Sequence, residues 1–429
     1  MQALFLGFLV DFFFNTCRQS SFFSSNFFKS VFDRPFAADL NLEGSVGSHV
    51  FRESIPLLPS RNDLRKRNRV RHDYIHEVVF VVRQRNMDGL TNILHDISNP
   101  ASANFGQHLS REEVAHLTTN PLSRDTIISF LKSNGATVVS ETRYGEYITA
   151  NAPIEVWERL LKTEFFSFHQ TQRNGHINEI IRTERYWIPK DLDSHVESVF
   201  KTIEVPDQPH GDAPIFSAES DGQRTMTPRK IRDIYNMTDH HGSSYSTQAI
   251  LGCKHSYPNQ ADLEYFQLSQ NQSFMAMMRM GAHSNHSKCE IDDNSCGLSN
   301  LAAQYMMSTS PESPTTYWHT DTDSHFTDWI VEVANTVNPP LVLSIGFWSE
   351  ERTLAKSVHL AFTTEAIKLG AMGVTIIASS GDDGAVGSLV REEGTGRCGY
   401  VPTFPSSNPF VTSVGSTSVR LAMNEVTVR

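Results

Sequence analysis

Cysteine is scarce in this chain, with five residues at positions 17, 253, 289, 296 and 398 of 429. So small and odd a set excludes a disulfide-built miniature scaffold, and no Cys-x-x-Cys spacing offers a zinc site. Cys289 and Cys296 are close enough to close a short loop, but spacing alone does not establish pairing. Basic charge is short as well: 37 Lys and Arg stand against 48 Asp and Glu, for a formal net charge of −11. That balance argues against nucleic acid as a main partner and suits a compartment below neutral pH. Long apolar runs are also missing. No stretch of about 18 residues is apolar and free of charge, so no membrane span is expected.

The amino terminus lacks the marks of an ordinary leader. Met1–Val10 is apolar like the core of a signal peptide, yet no Lys or Arg precedes it and Asp11 interrupts it. The Phe- and Ser-rich stretch from Phe12 to Phe32 has neither helical nor strand period. A degraded signal peptide and a misassigned coding stretch both fit, so residues 1–60 are read as leader or unassigned. A basic run from Arg61 to Arg71 follows and reads as a solvated surface segment.

What is present becomes legible from Tyr74. Tyr74–Val82 reads as a strand, and Asn86–Ser98 as a helix with Leu90, Ile93, Leu94 and Ile97 on one face. Ser110 and Glu113 form a capping box that starts the next helix. Ser123–Asn134 is a third helix ended by Gly135. Strands at Ala136–Ser140, Tyr147–Ala150 and Phe165–Gln170, with a helix at Pro153–Thr163, complete an α+β sandwich of ferredoxin-like kind. Lys201–Gln223 is rich in Pro, Asp and Gly and reads as a linker. Beyond it, strands at Gln248–Leu251, Pro340–Ile345 and Val374–Ala378 alternate with helices at Gln260–Leu268, Trp329–Asn335 and Leu354–Leu369. That alternation predicts an α/β fold with a doubly wound parallel sheet. Domain bounds are set at 61–200, a linker at 201–226, and 227–429.

Two segments carry a family resemblance. Ala378-Ser-Ser-Gly-Asp-Asp-Gly384 follows an apolar strand, and Pro402-Thr-Phe-Pro-Ser-Ser-Asn-Pro-Phe-Val-Thr-Ser-Val-Gly415 follows that loop. Both resemble segments of the sedolisins, the serine-carboxyl peptidases. Asn99–Val114 resembles the Pro-x-Ser-x-x-Tyr-Gly-x-x-Leu-x-x-Glu-x-Val pattern of the sedolisin activation domain, and Arg83-Gln-Arg-Asn86 is similar to its lysosomal tripeptidyl-peptidase branch. Thr227–Asn236 resembles the entry to the catalytic domain, which by resemblance is subtilisin-like and here incomplete. The resemblance implies acid hydrolysis of peptide bonds, a lysosomal, vacuolar or secreted location, and an activation domain that assists folding and blocks the cleft until cut away. A peptide or protein substrate, or an active relative, is the implied partner.

By the same resemblance Asp382 is the oxyanion-hole acid, a role that needs the protonated carboxyl because it must donate a hydrogen bond. The other groups are expected to be missing. The family sets a Glu base and its orienting Asp one helical turn apart, ahead of a Gln-Tyr pair. Gln304-Tyr305 fixes that register, so Leu298 stands for the base and Ala302 for the orienting acid. Glu290, Asp292 and Asp293 lie nearby but out of register. The family's nucleophile-bearing Gly-Thr-Ser-x-Ser segment has no match before Arg429, which leaves Ser380 and Ser418 as non-nucleophiles. The family's calcium site lies beyond Arg429, so no cofactor is expected within these residues. Gly346-Phe-Trp348 replaces the usual Ser-Tyr-Gly wall, and its bulk argues against an open peptide pocket. His319-x-Asp-x-Asp-x-His325 carries metal-type side chains but reads as an exposed polar loop. Asn236, Asn271 and Asn285 head Asn-x-Ser/Thr sequons and are candidate glycosylation acceptors.

Overall fold

A computed structural model describes residues 47–55, 63–171, 177–206, 226–237, 240–253, 256–281, 293–320, 325–387, 400–420 and 425–428. The leader, Asp321, Asp323, Asn285, Cys17, Cys289 and Cys398 lie outside the described residues, as does most of the linker.

Among the described residues of the N-terminal half are nine strands: β1 (His49–Ser54), β2 (Leu64–Arg69), β3 (Ile75–Val82), β4 (Thr137–Glu141), β5 (Tyr147–Pro153), β6 (Phe165–Thr171), β7 (Ile177–Thr183), β8 (Arg185–Pro189) and β9 (Val196–Phe200). The main sheet is antiparallel with order β4-β5-β3-β9, the arrangement of a split β-α-β sandwich. A side sheet, β2-β6-β7, and a pair, β1-β8, flank it. Four helices accompany them: α1 (Met87–Ile97), α2 (Arg111–Thr118), α3 (Pro121–Ser133) and α4 (Ile154–Leu161). Each starts and faces inward for a local reason. Leu90, Leu94 and Ile97 recur at i, i+4 and i+7 and are buried. Glu113 N–H donates to Ser110 Oγ at 3.2 Å and Ser110 N–H to Glu113 Oε2 at 2.7 Å, closing the capping box. In α4, Ile154, Trp157 and Leu161 are buried, and Trp157 Nε1 donates to His76 O at 2.9 Å.

The C-terminal half is a six-stranded parallel sheet ordered β11-β12-β10-β13-β15-β17. Its strands are β10 (Gln248–Cys253), β11 (Met278–Gly281), β12 (Thr315–Thr320), β13 (Val342–Ile345), β15 (Thr375–Ser379) and β17 (Thr412–Val414). Two antiparallel pairs, β14 (Ser349–Glu350) with β16 (Thr403–Phe404) and β18 (Thr417–Arg420) with β19 (Glu425–Val428), sit outside it. A short α5 (Pro228–Ile234) leads in, and α6 (Gln260–Ser269), α7 (Asp293–Thr309), α8 (His325–Ala334) and α9 (Lys356–Ala371) cover the sheet. Leu263, Ala303 and Met307 of α6 and α7 pack with Ile250 and Tyr317. Trp329 and Ile330 of α8 and Phe362 and Leu369 of α9 pack with Ala249, Leu251, Leu343 and Ile376. Helices on both faces make the sheet doubly wound. The chain leaves β10 toward β12 and returns on the far side to β13, so the topological switch opens at the carboxyl ends of β10 and β13.

The basic run is solvated as expected, and over Leu64–Arg69 it forms a strand, β2, whose residues after Leu64 are all exposed at a sheet edge; lysine and arginine there keep the edge from pairing with other chains. Other expectations change. His319 does not lie in an exposed loop: it is the penultimate residue of β12, whose six residues are all buried. Thr202, Ile203 and Glu204, read as linker, pack inside the N-terminal half. The helix expected at Leu354 starts at Lys356, and it is buried on more than one side.

Candidate active site

The loop after β15 holds Asp382. Ser380 N–H bonds to Val414 O at 3.1 Å and Thr403 Oγ1 donates to Ser380 O at 3.0 Å, which ties the loop to β17 and β16. Gly381 adopts φ +85°, and a Cβ there would lie 2.9 Å from Thr403 Cγ2 and 3.4 Å from the Trp348 ring. Both the dihedral and the crowding demand glycine. Asp382 is exposed, and Trp348 Nε1–H donates to its Oδ2 at 3.4 Å. Trp348 is itself only 2% exposed. The bulk anticipated in the pocket wall is therefore turned inward, with Phe347 part of the core under α8 and α9 and Trp348 beneath the Asp382 loop.

Leu298 and Ala302 sit one turn apart on α7, and both are half-buried. They face different surroundings. Ala302 packs on the α6–α7 core, while Leu298 packs on the opposite core. Its side chain lies beside Gly346, where a Cβ would stand 3.8 Å from Leu298 Cδ1. An aliphatic group thus occupies the switch-point end of β13, where an α/β sheet ordinarily presents its polar chemistry.

Between them lies a hydrogen-bonded group that sequence reasoning missed. Ser299 Oγ meets Tyr317 Oη at 2.7 Å and also contacts Ser256 Oγ, and Tyr317 donates to Ser256 O at 2.6 Å. His319 Nε2 is 2.8 Å from Tyr257 Oη, with the rings 4.2 Å apart. Burial drives the Tyr317 hydroxyl far above its usual range, despite Ser299 and Ser256, so it holds its proton and serves as no base. The only available signal was the i, i+2 recurrence of Tyr317 and His319.

The remaining candidates are dispersed. Ser380 is part of the loop backbone bonding described above, and Ser418 lies on the outer β18–β19 pair. Asn236 and Asn271 are exposed at left-handed turns with φ of 54° and 53°. Cys253 is buried, and Cys296 is disulfide-bonded. Among the described residues no group of three or more His, Cys, Asp or Glu could hold a metal ion, and no helix is long and apolar enough to cross a membrane.

Residues 62–205 match the family described as pro-kumamolisin, activation domain. The chain is 27% identical over 372 residues to tripeptidyl-peptidase 1 of Rattus norvegicus, covering 81% of this chain and 63% of that protein. It is 28% identical over 375 residues to physarolisin of Physarum polycephalum, covering 83% and 62%. A solved structure of Pseudomonas sedolisin, a serine-carboxyl proteinase complexed with pseudo-iodotyrostatin, aligns with TM-score 0.37 and 18% identity over 46% of this chain and 55% of that one. The chain thus spans less than two thirds of the length of these curated relatives.

Proposed function

From the match of residues 62–205 to the pro-kumamolisin activation domain and the similarity to tripeptidyl-peptidase 1, we propose that this chain is a serine-carboxyl peptidase proprotein of the sedolisin family that binds in the manner of a peptidase but does not turn peptides over. One observation carries this reading: Leu298 lies against Gly346 at the switch point, in the register of the proton-accepting carboxylate. Neither Leu298 nor Ala302 can take a proton from a hydroxyl, and proton transfer is indispensable to attack on a peptide carbonyl. Asp382 keeps the position of an oxyanion-hole acid. With Trp348 donating to Oδ2, Oδ1 is the oxygen left to carry the proton such a donor needs.

The test is a peptide assay on the purified chain at about pH 4. No release of tripeptides from free N-termini is expected. Turnover that disappears in an Asp382→Asn variant would sink the reading.

A second reading is that the activation domain inhibits an active relative in trans, and the extended seat that this domain offers to α9 favours it. Micromolar chain added to such a relative should then lower its rate; an unchanged rate removes this option. The disulfide at Cys296 fits a lysosomal or secreted location, since disulfides persist in oxidising compartments. Asn236 and Asn271, both exposed, are proposed N-glycan acceptors. A loss of mass on N-glycosidase treatment, reduced stepwise in Asn236→Gln and Asn271→Gln variants, is expected from material made in a secretory host.

A further inference from the structure

Large apolar side chains stand exposed around the end of α6. Tyr265 is 76% exposed, Leu268 76% and Phe274 61%. Tyr265 and Leu268 lie at i and i+3, so they share the outer face of the helix. Phe274 is brought beside them by a buried side chain: Gln267 accepts from Met275 N–H at 3.1 Å and donates to Met275 O at 3.3 Å. Large apolar side chains grouped in this way on a surface ordinarily have something to cover them.

Asn271 lies in the middle of the group, and the backbone holds it there. Gln272 N–H donates to Gln267 O at 2.9 Å and Asn271 N–H to Leu268 O at 3.0 Å. These are the paired bonds of a Schellman close to α6, with Asn271 as its left-handed residue at φ 53°. Gln272 is fastened in turn to α7, accepting from Ser308 Oγ at 2.8 Å and donating to Ser308 O at 3.3 Å. The sequon Asn271-Gln272-Ser273 therefore sits on a pinned turn. Asn271 and Ser273 are both exposed, and Leu268 and Phe274 stand three residues to either side of the acceptor.

We propose that N-linked sugars on Asn271 fold back over Tyr265, Leu268 and Phe274 and serve as the cover of this patch. The inference rests on the reading of Asn271 as a glycan acceptor given above. The first N-acetylglucosamine units present a face of C–H groups with their hydroxyls turned to the rim. Such a face lies flat on an aromatic ring while the polar rim stays in water. The covalent tether supplies a high local concentration, so the sugar needs little affinity of its own to settle on the patch. A bulky glycan at the centre also shuts a protein partner out of the same face.

The test uses the chain made in a secretory host, with occupancy of Asn271 read by peptide mass. Ser273→Ala is the informative variant, since it removes the sequon and leaves asparagine in the left-handed turn. It should bind severalfold more of an apolar fluorescent dye than the parent, and Tyr265→Ser/Leu268→Ser/Phe274→Ser added to it should abolish the excess. N-glycosidase treatment of the folded parent, which asks for no new folding, should raise dye binding in the same way. An occupied Asn271 whose glycan can be lost with no rise in dye binding overturns the cover alone and leaves the acceptor reading standing. An unoccupied Asn271 removes both. A rise that survives the three serine substitutions places the dye elsewhere and overturns the proposal as well.

Discussion

At the scale of single residues, Gly381 and Trp348 determine how Asp382 is presented. Gly381→Ala forces a Cβ into a left-handed backbone and against Thr403 and Trp348. A loss of about 1–3 kcal/mol is expected in urea denaturation. Trp348→Ala empties a site beneath the loop and should cost about 3–5 kcal/mol. Trp348→Phe should lose less, because it keeps most of the ring and gives up only the Nε1–H bond to Asp382. Lys368 is the most exacting position. Lys368→Met leaves Glu146 and Glu365 buried with no ammonium between them, and about 3–5 kcal/mol should be lost near pH 7. The deficit should shrink at pH 5, where the raised carboxyl of Glu365 takes up a proton in place of the missing cation.

At the scale of elements, the Ser110 capping box and the apolar faces of α1 and α4 were readable because the signals lie within four residues of one another. The loop at Asp382 was readable for the same reason. Strand β12 was not, since Thr-Thr-Tyr-Trp-His-Thr has no apolar run and is buried through pairing with β10 and β11, both distant in sequence. Leu298 and Ala302 could be placed by register alone, but their separation onto two cores follows from the sheet between them. The Trp348–Asp382 contact joins residues 34 apart and has no local trace. Helix α9 is the sharpest contrast. Its aligned Val358 and Phe362 suggest one apolar face, yet Val358 packs on the activation domain and Phe362 on the sheet. A helix buried on more than one side needs two partners. Leu94→Ala should therefore loosen α9 while leaving the sheet core intact, seen as faster amide exchange in the turn ending at Ala371 with that of β10 unchanged.

At the scale of the whole molecule, opposing proton linkages set the pH range of greatest stability. His76 is buried against Phe165 with its Nε2 on Lys201 O at 2.9 Å, and burial lowers its pKa to about 4. An imidazole kept neutral in the fold adds stability above about pH 6.5 that is lost as pH falls toward 4. Glu204, pushed up to about 7 by burial, has the reverse effect from about 7 downward, and Glu53 and Glu365, also raised by burial, act in the same sense. Melting temperature against pH should then pass through a maximum between about 5 and 7, and His76→Gln should flatten its acid side.

Synthesis order adds a last consequence of α9 being shared. The ribosome releases Leu90, Leu94 and Val114 long before it makes Ile367 and Ala371, which cover them. At ordinary translation speeds that interval is roughly ten seconds or more. For that time the nascent chain carries an open apolar seat, a natural landing place for a chaperone, and a codon change that slows elongation ahead of α9 would lengthen the exposure without altering one side chain.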